Sequence, residues 1–569
     1  MYLFNKFSHQ LWNTMRTMDI NSLRLLINQT NSQNVILNIT EKNYKGYSPL
    51  TWAIRKRNYE MVKLFIEYAD QHDIFLNINS KNCDIYSPFT WAVKKNSTEI
   101  VKLFIDYANR HSILLKIIEK NFDTHSCFCY SIMYNNDDIV KLLIDYADAN
   151  NINLKINEKR MERYSPLRLA LQSNNFYIVK HIFGYAEKND VLLNLNEKYK
   201  DNETPLLTVL LGNNANIVEL FFKYAIKYNV ILNINAKQHK SYGNFPLLIV
   251  VLGNNPNIMK FLIHYAEAID TLLNVNDKDG GRDSLYTAIK SNNIEMVKIL
   301  MDYANEHKVI LNINDKLRKV HEIGYYPLYV AIRNNNIDMA KLLIDYAEQN
   351  NIPLIINDKD RSENFPLYLA IKNNSSEAIK LLMSYADRHS DITLNINETN
   401  HNDNKCSLYL AIKNNNIEFV KLLLDYANRN HLSIPINENR LFLEAVKNNS
   451  IDIMNLLIEY AIQNNTEIDI NNSYGYDSSL YYAIFINKNI ETVKVIIDYA
   501  NEQHLHLDIS GFVRCNVYDV NFQIMDLLMQ YCENNDIIME SRILKQFLYR
   551  SVKRNYIKIY FFIIKYKIK

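Results

Sequence analysis

The densest group of soft metal ligands in this 569-residue chain is His125-Ser126-Cys127-Phe128-Cys129. A tetrahedral zinc site takes four ligands, and spacing at i, i+2, i+4 turns three of them to one side only on an extended strand. The register derived below puts both cysteines at the start of a short helix, so they are expected to pack as small apolar side chains, not to hold a metal. His504 and His506 lie in a polar stretch without Cys or carboxylate at a useful spacing. Gly280-Gly281 is accounted for by a tight turn, and no phosphate-cradling loop, nucleophile elbow or zinc-protease helix appears. The carboxylates Glu67, Asp106, Asp145, Asp302, Asp345, Asp425 and Asp498 each stand four residues after a lysine (Lys63, Lys102, Lys141, Lys298, Lys341, Lys421 and Lys494). Such pairs mark a solvated helix face rather than an acid and a base. The chain is therefore expected to have no catalytic residues, no metal and no cofactor.

Composition narrows the remaining classes. Lys+Arg 64 against Asp+Glu 62 leaves a formal charge of +2, too balanced for a whole-molecule field that captures nucleic acid or anionic membrane. Six cysteines without a repeating spacing are not a disulfide framework, so a reducing compartment, cytoplasm or nucleus, is expected. The opening MYLFNKFSHQLWNTMRTMD lacks a basic segment followed by an apolar one, and no secretory signal is expected. The most apolar stretches, 204–211 and 557–564, are far shorter than the roughly 18 to 20 residues that span a bilayer. Asn, Ile, Lys and Tyr abound, as the codons of an AT-rich genome would give, and Asn richness is read as weak evidence for function.

The elements that position these residues repeat. A Tyr-Ala pair closes an apolar run at Tyr68, Tyr107, Tyr146, Tyr185, Tyr224, Tyr265, Tyr303, Tyr346, Tyr385, Tyr426, Tyr460 and Tyr499, in steps of 39, 39, 39, 39, 41, 38, 43, 39, 41, 34 and 39. Gln29 occupies the slot one period earlier, and Tyr531 and Tyr566 close weaker copies, for about 15 units. In the unit 365–397, Pro366 suits a helix's first turn, and Leu367, Leu369, Ala370 and Ile371 give helix A a short apolar side. Asn374 stops it, and Ile379, Leu381, Leu382 and Tyr385 begin helix B, which must run antiparallel because the connection is short. The polar remainder, centred on 397–404, leads to the next unit.

This pattern resembles the ankyrin repeat. Thr204-Pro205-Leu206 and Ser48-Pro49-Leu50 match its opening, Ala53-Ile54 and Ala370-Ile371 its middle, Ile100-Val101-Lys102-Leu103 its second helix, and Ile78-Asn79, Ile234-Asn235 and Ile313-Asn314 its close. The resemblance implies an all-α, helix-turn-helix solenoid, a superhelical stack of repeats. Residues 1–47 form a degenerate N-terminal capping repeat, 48–510 about twelve ankyrin-type repeats, and 511–569 degenerate C-terminal repeats and a cap. The family's interhelical Gly is replaced by Asn96, Asn135, Asn174, Asn213, Asn254, Asn292, Asn335, Asn374, Asn415 and Asn449, the next best residue at positive φ. Its opening His is replaced by Tyr286, Tyr329, Tyr368 and Tyr409, whose hydroxyl is a candidate substitute for the lost polar contact. Each unit is roughly six residues longer than the family's, and these are expected to extend helix B beyond the tyrosine by about 9 Å. The terminal IKIYFFIIKYKIK either meets a partner or relies on its lysines for solubility.

The resemblance also implies a groove between the inter-unit fingers and the inner face of helix A. The position after Ala-Ile, which would project there, carries Arg55, Lys94, Lys290, Arg333, Lys372, Lys413 and Lys447, with Met133, Gln172, Leu211, Leu252 and Phe485 interrupting the cations. Two readings stand: helix caps favoured by the dipole, or a docking stripe for an acidic partner. The expected function is a monomeric protein-protein interaction scaffold with no catalytic activity, binding other proteins, an acidic segment among them, and neither nucleic acid nor membrane. The alternative is an adaptor that recruits substrates to a ubiquitin ligase or another complex.

Overall fold

A computed structural model describes residues 2–43, 46–80, 86–119, 125–158, 165–198, 203–236, 245–278, 282–316, 323–399, 405–437, 440–471, 478–509, 520–535 and 537. It has two compact units, Met1–Val309 and Ile310–Lys569. Each is a stack of antiparallel helix pairs, and among the described residues there is no strand, only an isolated bridge between Thr399 and Cys406. Thirteen pairs and the second helix of a fourteenth are described. Tyr566 and the terminal IKIYFFIIKYKIK lie outside the described residues, as do Cys83, Cys515 and Gly280-Gly281.

The pairs are uniform because their ends are specified residue by residue. Helix A is typically 7 residues, as in Pro49–Arg55, and helix B 13, as in Tyr59–Gln71. Ser48 caps helix A by accepting the Thr51 amide, and Pro49 follows where no amide partner is needed. The helix closes when Arg57 turns left-handed at φ 57° and the Asn58 amide reaches back to the Ala53 carbonyl at 3.0 Å. Asn58 is also the cap of helix B, its side chain accepting the Met61 amide at 3.0 Å. One dipeptide thus ends one helix and starts the next.

That double task explains the asparagines. All ten interhelical Asn have φ between 51° and 57°. The residue after each is Asn in all but three of these pairs, where it is Ser, and several of the second asparagines donate to the first of the preceding pair, as Asn136 does to Asn96 at 2.7 Å and Asn416 to Asn374 at 2.9 Å. A third set closes each repeat. Asn235 donates to the Leu272 carbonyl at 2.7 Å and accepts the Asn274 amide at 3.0 Å, and Asn357 and Asn471 clamp the following repeat in the same way. Backbone geometry and polar satisfaction, rather than codon bias alone, account for these positions.

Helix B does pass its tyrosine, but by three residues, about 4.5 Å, half the expected extension: the helices end at Gln71, Arg110 and Glu306. The chain then turns left-handed, at Asp73 for example, and the Ile74 amide closes on the Ala69 carbonyl at 2.9 Å. This is why Ala follows Tyr: its carbonyl is the acceptor of the closing turn. Along helix B, Met61, Val62, Phe65, Ile66, Tyr68 and Ala69 are buried on one face, and each large side chain so buried contributes roughly 1.5–3 kcal/mol.

The i, i+4 ion pairs are largely unformed. Of the seven, only Lys63 and Glu67 come within reach, at 3.9 Å, because a helical lysine leans toward the N-terminus, away from an acid four residues later. Acids two residues past the tyrosine instead meet cations three past the next one: Asp148 with Lys188 at 2.7 Å, Glu187 with Lys227 at 3.0 Å, Glu348 with Arg388 at 2.7 Å, Asp387 with Arg429 at 2.9 Å, and Asp70 with Arg110.

Candidate protein-binding face

Every one of the seven stripe cations is the last residue of its helix A. Their surroundings differ. The half-buried Arg55 guanidinium lies 4.2 Å from the Tyr47 ring centroid and 4.9 Å from that of Trp91, and burial lowers its pKa. Lys94 donates to the Tyr86 hydroxyl at 2.6 Å and sits 4.8 Å from the Tyr130 ring. In the second unit, Arg333 covers Tyr325 and Lys447 covers Tyr482, both at 4.7 Å. Lys290, Lys372 and Lys413 are exposed. The tyrosine eight residues before the cation (Tyr47, Tyr86, Tyr325) explains the clamp: it ends the finger of the same repeat and lies under the end of helix A.

Between Lys94 and Lys290 the same helix ends expose apolar or neutral side chains: Met133 at 49%, Leu211 at 56% and Leu252 at 53%, with Gln172 also exposed. Gly212 and Gly253, which follow two of them, leave no room for a longer cap: a Cβ there would lie 2.8 and 2.9 Å from the side chains of Asn174 and Asn213. Phe485 departs from the register. Its helix turns to a π-helix over Tyr482–Asn487, because one extra residue separates Ala483-Ile484 from the left-handed Lys488.

The soft-ligand residues do not converge. Cys127 and Cys129 are buried in the helix Cys127–Met133, Cys127 Sγ lies 3.2 Å from Thr90 Oγ1, and burial pushes the Cys127 thiol up to about 12. His125 packs 5.7 Å from the Tyr130 ring, and His504 is an exposed left-handed closing residue of helix B. Among the described residues, one group of side chains has metal-ligand geometry, Glu267, Glu306 and His307, and two of the three are exposed acids.

Two features escaped sequence reasoning. The repeated tyrosine is a polar link between repeats, since its hydroxyl accepts a backbone amide from the segment after the preceding helix B. Seven such bonds lie within the first unit and six within the second, from Leu37 to Tyr68 at 2.8 Å through to Leu507 to Tyr531 at 3.1 Å. Of the tyrosines replacing the family's His, Tyr329 makes the substitute contact, donating to Asp360 of the next finger at 2.6 Å, and its pKa is raised by burial and by that carboxylate. The second missed feature is the group Lys56, Arg57 and Lys95 beside Arg55 and Lys94. The signal was present in the runs Arg55-Lys56-Arg57 and Lys94-Lys95 and in the one early repeat whose left-handed slot is not Asn.

A stack of helix pairs capped, closed and linked in this way defines an all-α helix-turn-helix repeat protein. Models of the ankyrin repeat match residues 45–78, 71–156, 91–192, 224–312, 264–353, 304–396, 350–433 and 408–508. The chain belongs to the ankyrin repeat family, whose members are generally protein-interaction modules. No curated protein matches it. No helix among the described residues is long and apolar enough to cross a membrane.

Proposed function

We propose that the protein is an interaction scaffold without catalytic activity of its own, acting in the cytoplasm or nucleus, and that the ends of helix A are where its partners lie. The observation that carries this reading is a side chain position repeated in most pairs, at or next to the last residue of helix A, that stays exposed or ring-clamped instead of joining the core. In the second unit Arg333, Lys372, Lys413 and Lys447 give this position one sign of charge, which suits an acidic segment bound by complementary electrostatics. In the first unit the exposed Met133, Leu211 and Leu252 suit an apolar stretch of a partner. The adaptor reading has no observation of its own to favour it.

The experiment is affinity capture with the full chain and with Arg333→Glu/Lys372→Glu. Exposed changes usually cost less than about 0.5 kcal/mol, so the fold survives. The variant should lose the acidic partners recovered by the wild type, and binding should weaken as salt shortens the screening length to about 8 Å. Unchanged recovery would reduce the second-unit cations to helix caps.

A further inference from the structure

We infer that the ends of the second and third helix pairs, where Arg55, Lys56 and Arg57 meet Lys94 and Lys95, form a recognition site for a carboxylate-rich segment of a partner protein. The inference rests on the scaffold reading but places a specific ligand chemistry at a site in the first unit, only part of which belongs to the stripe.

The first support is uncompensated charge. Lys56 and Arg57 are exposed and Lys95 half-buried, and among the described residues none of the three has a carboxylate at ion-pair distance. Elsewhere on the first unit, cations such as Lys188 and Lys227 reach an acid of the preceding repeat. The Lys95 amine is held below its usual range by burial and then by Arg55, Arg57, Lys94 and Lys56, so the cations repel one another as they stand. An anion arriving here relieves that repulsion as well as adding its own attraction.

The second support is backbone. Arg57 has φ 57° in the slot that ten other pairs fill with Asn. A long β-carbon side chain is disfavoured in the left-handed region, where Asn is tolerated. A cation stands where the local fold prefers another residue, the kind of strain that collects at binding sites.

The third support is preorganisation, and it also selects the ligand. Arg55 lies between Tyr47 and Trp91, Lys94 between Tyr86 and Tyr130, Lys56 5.7 Å from Trp52, and Lys95 5.4 Å from Trp91. Ring faces hold the charged groups in place, so less side-chain freedom is lost on binding. Because those faces already carry cations, they are not the open platforms on which single-stranded nucleic acid stacks its bases. A net charge of +2 likewise provides no extended field for a long polyanion. Carboxylates on a protein segment fit what remains.

The test titrates the full-length protein into a short fluorescent Asp/Glu-rich peptide, with a single-stranded oligonucleotide of equal charge as the second probe. The peptide should bind, perturb the emission of Trp52 and Trp91, two of the chain's three tryptophans, and lose on the order of tenfold in affinity for Lys56→Glu/Arg57→Glu/Lys95→Glu. Arg57→Asn is the decisive variant, because it should weaken the peptide while holding or raising the thermal midpoint, a combination that misfolding does not produce. Peptide affinity unmoved by both variants, or preference for the oligonucleotide, would overturn the inference. Arg333→Glu/Lys372→Glu should leave this binding intact, so the failure of either proposal is read separately from the other.

Discussion

The hydroxyl of Tyr265 accepts the amide of Leu232 at 2.8 Å and donates to the carbonyl of Val230 at 2.7 Å, so one ring oxygen satisfies two backbone groups of the preceding repeat. Tyr460 and Tyr531 do the same, for Ile434 with Leu432 and for Leu507 with Leu505. Apolar stacking has no direction, whereas this contact fixes the register between neighbours.

Tyr265→Phe keeps the ring and removes the oxygen, leaving the Leu232 amide and Val230 carbonyl without this partner. The expected cost is about 1–3 kcal/mol, and it should be local. Hydrogen exchange at the Leu232 amide should accelerate while amides several repeats away are unchanged. Protection at Leu232 equal to the wild type would show that the hydroxyl is incidental.

Burial raises the pKa of ten of these tyrosines, Tyr107, Tyr224, Tyr265, Tyr303, Tyr346, Tyr385, Tyr426, Tyr460, Tyr499 and Tyr531, above the ordinary 10.0. A raised acid binds its proton more tightly when folded, so the unfolded chain releases protons first. Its stabilising contribution is complete below the unfolded value and is lost as pH climbs through the folded one. Stability should therefore fall steeply above pH 10.0, with tyrosinate absorbance and loss of helical circular dichroism rising together. Ionisation completed with the helices intact would contradict the burial argument.

At Asn335, φ is 54°. Asn335→Ala should cost about 1–2 kcal/mol, the penalty of a β-carbon in the left-handed region, while Asn335→Gly should be close to neutral. Chemical denaturation of the two variants checks this, and equal losses would point to the side chain rather than the backbone.

Cys127 and Cys532, both pushed up to about 12 by burial, should resist alkylation in the native protein at neutral pH and react after unfolding. Mass spectrometry of the alkylated peptides reads this directly, and rapid native labelling of Cys127 would mean that its helix opens.

The fold was legible because the same local signals occur many times over. Ser-Pro openings, Ala-Ile pairs and interhelical asparagines each have a backbone meaning, and the ten asparagines all adopt the left-handed turn that the glycine exchange implies. The early end of helix B was not legible, because the sequence shows no breaker there: Asp73 and Lys308 turn left-handed although neither is Gly or Asn. The tyrosine hydroxyl was illegible for another reason. A recurrent Tyr reads as apolar bulk, and the amide it meets lies about 31 residues away, beyond any local pattern. The seven stripe cations lie at the ends of helix A, but the rings of Tyr47, Tyr86 and Tyr325 that meet three of them stand eight residues earlier, outside the helix whose pattern located the cations.

The tyrosine links also set how the molecule would respond to force. Within each unit the described repeats are bolted to their neighbours by the same short polar contact, so a unit stretched from its ends should yield in steps of similar length rather than in one rupture. Each step would release one period, 39 residues between Tyr68 and Tyr107 for example, or about 130 Å of contour at ~3.4 Å per residue. An oxygen on a ring, placed once per period, makes each unit a row of separate catches that let go one at a time.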